Sequence, residues 1–324
     1  MPIAIVASQT GGPEVLYRID LRTPRPSAGQ VLVRHAAIGV NFHDIYVRSG
    51  LYPWPVDSDL VLGSEAAGEV VALGDGVTGF AVGDRVVYTI PNGAYVSERL
   101  IEPQHLVKLP DGVSAEVAAA AMLKGLTAHY LLHRSFKVQK GQTVLFHAAA
   151  GGVGLIAGQW LASMGVTVIG TAGGPEKCAL AAQHGYAHMI DYKSEDFVTR
   201  VAEITGGTGV DAVYDSIGKD TIAGSLKCLK IFGTLVNFGQ SSGPALDFKL
   251  SDLAAGSFSV TRPVLFHFTA ERDYLQTASD ELFEMVKNGT LKINVNQRYN
   301  LANAADAHRA LEARQTTGST VLIP

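Results

Sequence analysis

The sequence predicts an α/β protein: a β-rich domain followed by a doubly wound domain built on a six-stranded parallel sheet. Three observations predict it. From residue 31 to about 110, short apolar runs are broken by glycine and proline, the texture of antiparallel strands in a compact β domain. Beyond Gly141 apolar runs alternate with helical segments, as right-handed βαβ units do. The first of those runs, "VLFHAAAGGVGLIAGQW" (Val144 to Trp160), ends in small residues and restarts as a helix almost without charge.

Taken in order, "QVLVRHAAIGV", "AGEVVALG", "GDRVVYT" and "GAYVSERLI" supply the early strands. "LPDGVSAEVAAAAMLKGLTAHYLLHR" then changes the texture to a long helix rich in alanine and leucine. The strands "TVLFHA", "VTVIGTA", "HMIDY", "VDAVYDS" and "GTLVNFG" alternate with the helices "GVGLIAGQWLASM", "PEKCALAAQH", "EDFVTRVAEIT" and "TIAGSLKCLK". "FSVTR" (Phe258 to Arg262) is the expected sixth strand, and six strands suit a fold made of two mononucleotide-binding halves. Two amphipathic helices close the chain, near "RDYLQTASDELFEMVKNG" and "AADAHRALEAR", with Asn303 as the expected cap of the second. The domain boundaries fall accordingly: 1–123 with 265–324 in one domain, 124–264 in the other. No internal repeat beyond the βα alternation is present.

Composition narrows the function classes. In 324 residues, 47% are hydrophobic and 17% charged, an ordinary soluble balance. A net charge of −4 provides no global positive field for nucleic acid or acidic lipid. The two cysteines, Cys178 and Cys228, give neither a disulfide framework nor a four-cysteine zinc site. "MPIAIVASQTGG" lacks the basic and apolar parts of a signal peptide, and no apolar run reaches the length of a membrane span. The expectation is a cytoplasmic protein.

The glycine-rich turn is where chemistry enters. Ala149-x-Gly151-x-x-Gly154 follows a strand and opens a helix, the context in which bare backbone and helix amides receive a phosphate. An NAD-selective site ends its second strand in an acid that binds the ribose 2′-hydroxyl. Here Gly173 and Gly174 stand in that place, Lys177 follows in the next helix, and Tyr192 follows the third strand. Glycine leaves room for a 2′-phosphate and lysine supplies a charge, so NADPH is the expected cofactor. Glu176, the nearest acid, sits at a helix start where a carboxylate also serves the dipole.

A β-rich domain before a dinucleotide domain, with a C-terminal return, resembles the medium-chain dehydrogenase/reductase superfamily, whose domains are GroES-like and Rossmann. Zinc members carry Gly-His-Glu and catalytic cysteines. This chain has Gly63-Ser64-Glu65 and Asn41 at those places, and no cysteine before Cys178, so no metal is expected. His35, His43, His105, His129 and His133 read as scattered core or surface residues. The chain is most similar to the zinc-free, zeta-crystallin-like quinone oxidoreductases. The likeness rests on "GVNFHDIYVRSGLYP", "LGSEAAGEV", "AAAMLKGLTAHYLL", "HAAAGGVGLIAGQWL", "VYDSIG", "NFGQSSG" and "AHRALEARQTTGSTVLIP".

That resemblance implies reduction of a quinone by NADPH. It places Asn41, Asp44 and Tyr46 at the nicotinamide end, with Asn41, Tyr46 and Tyr52 as the catalytic candidates. It surrounds the cofactor with Thr127, the turn Ala150, Gly151, Gly152, Val153 and Gly154, then Gly173, Lys177, Tyr192, Ser216, Phe238, Gly239, Ser241, Val264 and Arg314, the last read as lying in the final helix. Trp54, Phe266, His267 and Phe268 either line the acceptor pocket or pack. Two other readings stay open: reduction of α,β-unsaturated carbonyls, and a non-catalytic nucleotide-binding or RNA-associated protein. An apolar edge at the sixth strand implies a homodimer.

Overall fold

A computed structural model describes residues 1–324. Two units emerge: Met1–Lys124 with Phe266–Lys287 and Ile293–Pro324, and Gly125–Leu265 with Asn288–Lys292.

The first unit is β-rich. The strands Val31–Val40, Glu65–Leu73, Arg85–Thr89 and Val107–Lys108 pair antiparallel, and Glu98–Ile101 pairs with the front half of Val31–Val40. Ser319–Ile323 joins antiparallel to its rear half and carries Val295–Asn300 in parallel beyond it. A smaller sheet orders Tyr17–Asp20, Ile3–Ala7 and Leu60–Val61. Alternation along Val31–Val40 and its partners puts Val33, Ile38, Val70, Val86 and Tyr88 into one core with Leu62, Tyr95 and Leu322. Trp54 and Tyr52 pack against that core. The helix Phe42–Ser49 follows Val31–Val40 directly: Asn41 turns the chain, Asp44 accepts the Asn41 amide at 2.9 Å, and Gly50 ends the helix at φ 80°.

The second unit is the parallel sheet. Its order is His188–Asp191, Thr167–Ala172, Thr143–Phe146, Val210–Asp215, Leu229–Asn237 and Ser259–Thr261, or 3-2-1-4-5-6, every pair parallel. The order reverses beside the first strand, so ligand-binding loops gather at the carboxyl ends there. Leu145, Ile169, Val213 and Leu235 form the core under the helices. Both cysteines are free. No helix is long and apolar enough to cross a membrane.

Two expectations at the C-terminal helix are corrected. Asn303 stands at the start of the helix Ala304–Glu312 but makes no side-chain cap; Asn300 caps the preceding turn by accepting the Ala302 amide at 3.0 Å. The chain enters the helix through that turn, at φ −102° and ψ 25° for Asn303, which is not the extended geometry a capping side chain requires. Arg314 lies two residues beyond the helix. The Gln315 amide reaches back to Ala310 O, and Arg314 takes the left-handed position, φ 57°, that closes such an end.

Candidate functional site

In the second unit the sequence dictates a bare turn. Thr143–Phe146 ends, Ala148 takes a left-handed φ of 55°, and its carbonyl receives the Gly151 amide at 2.9 Å. The strained residue is thus Ala148, while Ala149 donates to Thr171 O at 3.0 Å across the sheet. A Cβ at Gly154 would lie 2.5 Å from Ala148 O and 2.6 Å from Ala149 O. The helix Gly152–Ser163 starts with no side-chain cap and no acid in its first turn. Those leading amides therefore have no intramolecular side-chain acceptor, which fits a pyrophosphate.

At the end of the second strand, Gly173 lies against Tyr192: a Cβ there would sit 2.6 Å from the phenol oxygen. Lys177 is in the first turn of the helix Pro175–Ala182 that follows. The nearest strand-end acid, Asp191, is built into the loop. It accepts from Gly174 N at 2.8 Å and Lys193 N at 3.0 Å, hydrogen bonds that hold its carboxyl below the usual range.

The loops after the fourth and fifth strands are tied together. Ser241 N donates to Ser216 O, Phe238 N to Asp215 O, and Asn237 Nδ2 to Asp215 O and Gly239 O. Gly239 is required, since a Cβ would lie 2.8 Å from Ser216 O. The sheet thus brings Ser216, Phe238, Gly239 and Ser241 together. Val264 is 41% exposed beyond the sixth strand. Beneath these loops Asp215, fully buried, accepts from Ile217 N, Gly218 N, Thr221 Oγ1 and Ser225 Oγ. Ser225 has given its hydrogen to Asp215, so His147 donates to Ser225 from Nε2 and accepts from Thr171 at Nδ1. Burial holds the His147 imidazole below its usual pKa.

The first unit carries a second cluster. Glu65, wholly buried, receives Asn41 Nδ2 at 2.9 Å, Lys124 Nζ at 2.8 Å and Leu123 N at 2.6 Å. A Cβ at Gly39 would collide with that carboxylate, so glycine admits it. Asn41 stands where the zinc family has a cysteine ligand and Ser64 where Gly-His-Glu has its histidine, and Asn41 is committed to Glu65, which also takes the Lys124 ammonium. This donor set does not fit zinc. The Tyr46 and Tyr52 rings meet tilted by 58° at 5.0 Å, and His43 meets Tyr52 and Phe266 edge-on at 5.7 and 5.1 Å.

The stretch 27–135 matches the family described as alcohol dehydrogenase GroES-like domain, and 152–284 that described as zinc-binding dehydrogenase. A quinone oxidoreductase of Pseudomonas aeruginosa is 51% identical over 316 residues, 97% of each chain. The chain belongs to the quinone oxidoreductase branch of the medium-chain dehydrogenase/reductase superfamily. Within that branch, the structure of Escherichia coli quinone oxidoreductase complexed with NADPH aligns at a TM-score of 0.96. It is 45% identical, over 99% of this chain and 100% of that one. A 2-haloacrylate reductase of Burkholderia is 44% identical, covering 100% of this chain and 99% of its own length. The two units of this branch member are the GroES-like and Rossmann domains of the superfamily.

Two site expectations change. Asp44 has no exposed surface, and its oxygens are taken by Asn41 N, Ser64 Oγ and Tyr95 OH, so its carboxylate is committed within the first unit. Burial alone would raise its pKa, but the neighbouring His43 and Ser64 outweigh burial and lower it. His129 and His133 are not scattered: one helical turn apart, their rings lie 4.8 Å from each other, both edge-on to Trp160. The Glu65–Lys124 pair and His43 were not singled out. Lys124 is the one charge in "AAAAMLKGL", a signal that such a lysine has a buried acid as partner.

Proposed function

We propose that this chain is an NADPH-dependent quinone oxidoreductase that works without zinc. The observation that carries the reading is the acid-free end of the second parallel strand, where Gly173 leaves room beside Tyr192 and ahead of Lys177. The bound cofactor supplies a hydride. The chain's own residues hold it: the amides of the turn from Ala150 to Gly154 at the pyrophosphate, Lys177 and Tyr192 at the 2′-phosphate, with Arg314 as a further cation. Thr127, Ser216, Phe238, Gly239, Ser241 and Val264 contact the rest of it. Asn41, kept in place by Glu65, and the Tyr46–Tyr52 pair orient the acceptor. Lacking a Lewis acid to stabilise an alkoxide, the site suits acceptors that are already electron-poor.

A second reading is supported by the Burkholderia relative named 2-haloacrylate reductase: reduction of an activated alkene. Steady-state oxidation of NADPH with a quinone panel and an α,β-unsaturated carbonyl panel separates the two. The proposal requires higher kcat/KM for quinones; a consistent preference for enones would replace it with the second reading.

The chain also works as a cytoplasmic homodimer on this reading. Ser259–Thr261 is an edge strand, and Ile231, Phe232, Leu246 and Leu250 stand 67–85% exposed in the same unit. Phe232 is held at φ 65°, a strained geometry for a bulky residue. Such an edge and such side chains call for a covering partner.

A further inference from the structure

Reduction of a quinone to a hydroquinone needs one hydride and one proton. The proton must come from the chain or from water. Beside the Tyr46–Tyr52 pair in the first unit lies a side chain with the chemistry to give it.

His43 lies in the first turn of Phe42–Ser49, and its side chain is 21% exposed. Its open side meets Tyr52 and Phe266 edge-on. Its Nδ1 sits 2.9 Å from Ser64 Oγ. Ser64 Oγ also lies 2.6 Å from Asp44 Oδ1 and 3.0 Å from Pro91 O. Both of those are acceptors only, so the single hydroxyl hydrogen points at one of them and never at His43. The shorter contact, to an ionised carboxylate, is the stronger. His43 must therefore carry a hydrogen on Nδ1 and donate it to Ser64. Nε2 is left as the nitrogen that gains and loses a proton.

Asp44 cannot leave this arrangement. Its Oδ2 takes Asn41 N at 2.9 Å and Tyr95 OH at 3.0 Å. Tyr95 has given its hydrogen to Asp44, so it accepts from His308 Nε2 at 2.9 Å, and His308 Nδ1 in turn receives Arg48 Nη1 at 3.3 Å. Glu312 pairs with the same guanidinium. The charged and titratable groups facing the relay are thus Asp44, Tyr95, His308, Arg48 and Glu312, together with Tyr52 against the ring itself. A fully buried carboxylate stands behind His43 through one hydroxyl, the geometry that fixes an imidazole tautomer.

We infer that His43 is the proton donor to the reduced acceptor, with Ser64 and Asp44 as positioning residues. The inference rests on the quinone-reductase reading. Hydride transfer leaves the acceptor as a hydroquinone anion. The Nε2–H bond of protonated His43 breaks, the O–H bond of the hydroquinone forms, and the neutral ring takes its proton back from solvent. No further oxidant or reductant enters. An α,β-unsaturated carbonyl would draw on the same donor for its carbon.

Two measurements test it. Long-range ¹⁵N–¹H correlation of the histidine rings in the cofactor-free protein should show neutral His43 as the Nδ1–H tautomer, and Ser64→Ala should release it. A wild-type ring carrying its hydrogen on Nε2 would overturn the inference without any assay of activity. In the quinone assay, His43→Ala should lower kcat by about 100-fold, the low end for loss of a general acid. It should also remove the alkaline limb of the kcat–pH profile while KM for NADPH stays within about twofold, because uniform binding is untouched. Added imidazoles should rescue it, faster for more acidic imidazolium ions, a dependence that a structural role does not produce. Wild-type turnover with an unaltered profile in His43→Ala overturns this inference alone. No turnover by the wild type with any quinone overturns the functional reading and the inference with it.

Discussion

Lys124→Met should destabilise the first unit more than any surface change can. The variant keeps the length of the side chain and removes its charge, leaving the Glu65 carboxylate, with no exposed surface, facing only Asn41 Nδ2 and Leu123 N. Breaking a buried pair by deleting one partner costs about 3–5 kcal/mol. The two hydrogen bonds that survive hold the cost at the lower end, about 3 kcal/mol. Glu65→Gln leaves Lys124 buried instead, but a lysine can shed its proton, so about 2 kcal/mol is expected. The double variant removes both charges together and should cost only about 2 kcal/mol, a coupling of about 3 kcal/mol. Each unit carries one of the two tryptophans, Trp54 in the first and Trp160 in the second. Urea titration of protein labelled with 5-fluorotryptophan, followed by ¹⁹F NMR, therefore reads the units separately. The Trp54 transition should move and the Trp160 transition should move less. Additive single-variant losses, with no coupling, would refute the reasoning that the two charges stabilise each other in a dry site.

Lys177→Ala should weaken NADPH binding by roughly 10- to 150-fold, the loss of one charge-assisted hydrogen bond, and leave NADH unchanged; fluorescence titration of both cofactors measures it, and equal weakening would reduce Lys177 to a fold-supporting residue. Acid should unfold the first unit early. Burial holds His35 at about 3 and His308 at about 4, below the 6.5 of an exposed imidazole. Between pH 6.5 and 4 the unfolded chain binds more protons than the folded one, so stability is fully present above 6.5 and falls as pH drops. Two such groups give a slope of up to about 2.7 kcal/mol per pH unit, and His308→Gln should halve it. Multi-angle light scattering should give twice the 34.2 kDa chain mass at micromolar concentration; Phe232→Asp should give monomers, and a wild-type monomer would remove the dimer proposal.

The parallel sheet and its phosphate turn were legible because their signals are local. Strand and helix periods alternate within a few residues, and the glycines after Phe146 stand next to the helix they open. The missing acid at Gly173 was legible for the same reason. What the sequence did not disclose depends on residues far apart in the chain. Glu65 and Lys124 are 59 positions apart, and Tyr95 meets His308 across 213. Only the tertiary fold brings them together, since Glu65 lies on a strand, Lys124 and His308 on helices and Tyr95 in a loop. Asp44 was read as a ligand contact from the resemblance of its block to the family, whereas the helix turns its carboxylate inward to Ser64 and Tyr95. The pairing of His129 with His133 was missed, although their four-residue helical spacing signals it. Asn300 took the capping role from Asn303 because the chain inserts a tight turn before the helix, a shift of three residues that periodicity does not fix.

The most direct test of zinc-free, NADPH-driven quinone reduction is the rate of NADPH oxidation by a quinone before and after exhaustive chelation, with NADH run alongside. The structure predicts an unchanged rate after chelation and a higher kcat/KM for NADPH, because Asn41 and Glu65 are committed to each other and Lys124 and because Gly173 replaces the ribose-binding acid. Activity lost with the metal and restored by zinc, or equal use of NADH, would contradict it.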